Sequence, residues 1–174
     1  MKKTLIAILL CSFIAVMFVS CNNGGADITL PPEELTSAVV ENNTYTFVYN
    51  NTVVTPHAKM SELMNGLGDP SSYEESPSCL YQGLDKDYTY PGFKLRTYPE
   101  NEVDYVLNVC FTDDSVATPE GIMLGSTRSE VINAYGSSFT EQNGNVVYVK
   151  GNTELRFRFN GDSVSAIEYW AIEQ

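Results

Sequence analysis

Side chains able to do chemistry are few in this chain, and their spacing does not suit catalysis. It holds a single histidine, His57, which reads as an exposed residue at a helix start rather than as a base. No serine stands in the G-x-S-x-G turn of a nucleophile elbow: Gly125-Ser126-Thr127 reads as the opening of a helix and Gly136-Ser137-Ser138 as a loop leaving one. The acidic pairs Glu74-Glu75 and Asp113-Asp114 lack the alternating oxygens of a calcium loop, and among 22 acidic residues they read as solvated surface. One histidine and no Cys-x-x-Cys leave no metal site, and no glycine-rich loop is placed to cradle phosphate. The expectation is a non-enzyme without metal or cofactor.

Recognition chemistry is better supplied. In residues 93–98 the apolar Phe93 and Leu95 alternate with Lys94 and Arg96, and Tyr98 follows on the same parity as the two cations. Residues 154–159 repeat the pattern, with Leu155, Phe157 and Phe159 set against Arg156 and Arg158. Tyrosine, tryptophan and arginine are enriched at protein-binding hot spots. Lys94, Arg96, Tyr98, Arg156 and Arg158 are therefore expected to contact a protein partner. The competing reading is structural: such cations pair across a sheet with acids such as Asp104, Glu154 or Glu168 at little net stability. A formal net charge of −12 speaks against nucleic acid and against electrostatic adhesion to anionic lipid.

These residues must be positioned by strands, and the strands by helices. Met60, Leu63, Met64 and Leu67 recur at helical spacing, with Gly68 and Pro70 ending the run. Sixty-eight positions later, Thr127 with Glu130 forms a capping box, Val131, Ile132 and Tyr135 make an inner face, and Gly136 closes it. Both helices are read as about ten residues long, too short to stand alone. In the last strand of each half, Val106, Val109 and Phe111 match Val164, Ile167 and Tyr169, and the spacing of three then two predicts a bulge. The predicted fold is α+β: two tandem repeats of a helix followed by an antiparallel meander, at residues 44–114 and 115–174, with both helices packed on one face of the sheet.

The chain's beginning has a different character. Lys2 and Lys3 precede an apolar run from Thr4 to Val19, and Ser20-Cys21 then meets a polar stretch. Phe18-Val19-Ser20-Cys21 resembles the lipobox of bacterial lipoproteins, which implies removal of residues 1–20 and acylation of Cys21. The alternative is an ordinary secretory peptide. The lipoprotein reading puts the chain outside the cell membrane, or on an outer membrane, held by lipid on Cys21, with residues 21–43 as a spacer. In such an oxidising compartment Cys79 and Cys110 are expected to pair, free buried thiols being the alternative.

The stretch Leu124-Gly125-Ser126-Thr127-Arg128-Ser129-Glu130-Val131-Ile132-Asn133-Ala134-Tyr135-Gly136 resembles the helix opening of the SmpA/OmlA small lipoproteins and of the β-lactamase inhibitory protein family, over roughly residues 53–172. That resemblance implies a helix-then-meander unit, given twice in the inhibitory protein, whose concave sheet grips a protein. The expected function is a non-catalytic protein-binding module of the cell envelope, membrane-anchored through lipid; the alternative is an inhibitor of a secreted hydrolase such as a β-lactamase or protease.

Overall fold

A computed structural model of the chain describes residues 43–172. The signal segment 1–20, the lipidation residue Cys21 and spacer residues 22–42 lie outside them. A short hairpin comes first, β1 (Phe47–Tyr49) and β2 (Thr52–Val54), joined through Asn50 and Asn51 with φ of 48° and 62°. Asparagine tolerates that left-handed pair, which matches the strands' own twist. There follow α1 (Met60–Leu67), β3 (Ser72–Pro77), β4 (Leu84–Tyr90), β5 (Phe93–Glu100) and β6 (Val103–Phe111). Then come α2 (Arg128–Tyr135), β7 (Thr140–Gln142), β8 (Asn145–Lys150), β9 (Thr153–Asn160) and β10 (Ser163–Ala171). Strands β3 to β10 form one eight-stranded sheet in the order β3-β4-β5-β6-β10-β9-β8-β7, antiparallel throughout.

The expected α+β class with two tandem repeats is overturned: the fold is mostly antiparallel β, and the helices are two elements of eight residues each, about 12% helix. Two turns of helix bury little. Of α2 only Val131 is fully buried, and α1 buries Met60, Leu63 and Leu67. The strands supply most of the core, and β10 joins β6 directly through Glu168↔Cys110, Tyr169↔Val109 and Trp170↔Asn108, so the sheet runs on without a boundary. Local features of the two helices do follow the sequence. Thr127 Oγ1 accepts from the Glu130 backbone N–H, and the Glu130 carboxylate accepts from that of Thr127. Both bulges form as well, at Leu107 of β6 and Ser165 of β10, where the register shifts.

Alternation decides the two faces. Phe93, Leu95, Val109, Leu155, Phe157 and Ile167 are wholly buried. They join Met60, Leu63, Leu67 and Val131 of the helices in one cluster. Each such side chain contributes about 1.5–3 kcal/mol by leaving water. The hairpin docks on this side through Phe47, whose ring lies 4.9 Å from Phe93 and 5.0 Å from Phe111. Helices and hairpin therefore share one face, and the opposite parity of the central strands points away from them.

A candidate protein-binding face

On that opposite side the register lines residues into two rows across the four central strands. One row reads Lys94, Cys110, Glu168, Arg156 and the next reads Arg96, Asn108, Trp170, Glu154. Four of the five residues expected to bind a partner are thus brought to one surface, Arg158 following Arg156 along β9 by one alternation. The rows themselves carry Lys94, Arg96 and Arg156 against Glu168 and Glu154, a net of +1, in a chain whose total is −12.

Most of these side chains are held. Arg96 donates from Nε and Nη2 to the two carboxylate oxygens of Asp87 on β4, at 2.7 and 2.6 Å, and the planar fork fixes both groups. Arg156 donates to Glu154 at 2.7 Å while its guanidinium carbon lies 4.9 Å from the centre of the Trp170 ring. Trp170 Nε1 donates to Glu168 at 2.9 Å, and Glu168 also meets Arg158 at 3.6 Å. Glu168 on β10 is thus the cross-strand partner foreseen, here for Arg158, whereas Glu154 pairs with Arg156 within β9 itself and Asp104 pairs with Lys86, at 2.7 Å. Lys94 is exposed, and among the described residues no acidic group lies within ion-pair reach of it.

Tyr98 behaves otherwise than expected. It is only 6% exposed, stacked between Tyr81 at 4.7 Å and Tyr105 at 5.7 Å, so it supports the face from below. His57 reaches it from the segment before α1: Nδ1 lies 3.0 Å from the Tyr98 hydroxyl and Nε2 3.2 Å from the Asn152 carbonyl. The carbonyl can only accept, so Nε2–H donates to it; in the tautomer with the proton on Nε2 alone, Nδ1 accepts from the phenol. The backbone N–H of His57 also donates to the Val106 carbonyl of β6, so this residue ties β5, β6 and the β8–β9 turn together. It is a half-buried brace with φ of 69°, not the exposed residue expected.

Cys79 and Cys110 are both free, and the expected disulfide is not formed. Register explains the separation. Cys110 is aligned through Lys94 and Thr89 with Ser72, at the start of β3, while Cys79 follows the end of β3 at Pro77. Five residues of strand span about 17 Å, and a disulfide tolerates a Cα separation of at most about 7 Å. Burial, with the Glu168 carboxylate adding to it, pushes the Cys110 thiol up to about 11, so it stays protonated and is a poor nucleophile. Among the described residues no group of three or more His, Cys, Asp or Glu side chains is disposed to hold a metal ion.

Beside Trp170 the surface dips into a groove of about 420 Å³ lined by Leu80, Tyr81, Leu107, Trp170 and Ala171. Leu107 is the bulge residue of β6, and the bulge is what turns it out of the core. Leu80, in the β3–β4 connection, is 83% exposed. Neither Leu80 nor Leu107 stands out in the sequence, since one lies in a loop and the other is read as an ordinary strand position. No family model, curated protein or solved structure matches the chain, so the likeness to small envelope lipoproteins rests on its motif alone.

Proposed function

We propose that this chain is an exported lipoprotein, anchored through Cys21, that acts as a non-catalytic protein-binding module of the cell envelope. The observation carrying the reading is the pair of rows opposite the core, in which Trp170, Arg156 and Arg96 are fixed by their neighbours before any partner arrives. Fixed aromatic and arginine side chains lose little entropy on binding, and a local +1 lets a partner approach a chain that is acidic elsewhere. The lipid on Cys21 would hold this face near other envelope proteins. Two experiments test the two halves of the proposal. Mass spectrometry of the mature N-terminus is expected to show an acylated Cys21; an unmodified Cys21, or a cut elsewhere, removes the anchor. For the face, the detergent-solubilised chain is immobilised and exposed to envelope extract. Combined Lys94→Glu, Arg158→Ser and Trp170→Ala changes are expected to abolish capture, while Val53→Ser on the opposite side leaves it intact. Equal capture by both variants contradicts the assignment of the face.

A further inference from the structure

The groove and Lys94 together describe what the partner presents. Three of the face's four cations are already matched: Arg96 by Asp87, Arg156 by Glu154 and Arg158 by Glu168. Lys94 is the one cation of this face left without an acid among the described residues. The groove lining of Leu80, Tyr81, Leu107, Trp170 and Ala171 contains no charged residue, and Leu80 leaves most of its surface in water. An apolar occupant would cover Leu80 and gain by the area removed from water. Lys94 lies two strands from Trp170, one on β5 and the other on β10, and one alternation along. Strand spacings of about 4.8 Å and a two-residue step of about 6.8 Å put their backbones about 12 Å apart. An extended peptide covers that span in three to four residues.

We infer that the groove receives a large apolar side chain from an extended segment of the partner protein, and that a carboxylate three or four residues away on the same segment pairs with Lys94. This deepens the protein-binding proposal and rests on it. Beyond about 8 Å at physiological ionic strength the chain's overall negative charge is screened, so the local pair decides the preference for an acid.

Trp170 is the only tryptophan of the chain and lies in the groove, so its emission reports occupancy without a label. The probes are capped glycine–serine peptides carrying one phenylalanine and, three residues on, either glutamate or lysine. With the full chain in detergent, the glutamate peptide is expected to shift Trp170 emission saturably. It should bind at least about threefold more tightly than the lysine peptide, as one exposed charge pair allows. Lys94→Glu is expected to invert that preference. Equal binding of the two peptides, or no change with either at millimolar concentration, overturns the inference. So does emission that depends on the concentration of the chain alone, because the occupant is then a second copy. Failure here with capture still lost in the triple variant sinks the groove inference alone; undiminished capture by that variant sinks the wider proposal.

Discussion

Arg156 is the residue whose removal should be felt most on the open face. Its guanidinium both covers Trp170 at 4.9 Å and binds Glu154 through two nitrogens, at 2.7 and 2.5 Å. Arg156→Ala loses a cation–π contact worth about 0.5–1 kcal/mol. It also strands Glu154, whose side chain is only 13% exposed and has no other cation among the described residues. A polar group left unpaired and largely out of water costs about 1–3 kcal/mol. The expected total is about 2 kcal/mol, a fall in Tm of a few degrees for a domain of this size. Urea unfolding followed by Trp170 emission and by circular dichroism measures it. The paired change Glu154→Gln should recover roughly half of the loss, since it removes the stranded charge and not the missing stack. A loss below about 0.5 kcal/mol, with Trp170 emission unmoved, would refute the picture of a face fixed in advance.

Three further outcomes are expected. Gly66 lies in α1, where alanine would ordinarily gain about 1 kcal/mol, but a Cβ there would come within 2.1 Å of Thr52 Oγ1 on β2. Gly66→Ala should therefore destabilise in thermal melts, and adding Thr52→Ala should restore most of the loss. Maleimide should label exposed Cys79 in the folded chain well before half-buried Cys110. Cys110 has an ordinary value of 9.0 raised to about 11, so between those pH values the folded state keeps a proton that the unfolded chain has lost. Its contribution is present in full below pH 9 and is lost as pH rises through 11, so Cys110→Val should flatten the alkaline fall in stability over that window.

The parts of this fold legible in the sequence are those written in local periodicity. Lys94 and Arg96 against Phe93 and Leu95, and Arg156 and Arg158 against Leu155 and Phe157, assign their own faces, because a strand has only two. The capping box of α2 and both bulges were readable for the same reason, each being set within a few residues. The class was not. Helical spacing at Met60, Leu63 and Leu67 describes two turns as clearly as it would four, while β3 has every residue exposed and β7 has three residues, so neither leaves an apolar pattern. What fixes Tyr98 is also remote in sequence: Tyr81 arrives from a loop and His57 from before α1, 41 residues away. The groove depends on Leu107 being turned outward by a bulge and on a loop bringing Leu80 beside it, and no local pattern states either.

The most direct test of the open face as the binding surface is hydroxyl-radical footprinting of the chain alone and with its captured partner bound. Leu80 and Trp170 are expected to lose reactivity on binding, while Val53 and Met64, both exposed on the other side, keep theirs. Protection of Val53 and Met64 with Leu80 and Trp170 unchanged would place the partner on the helix side and contradict the assignment.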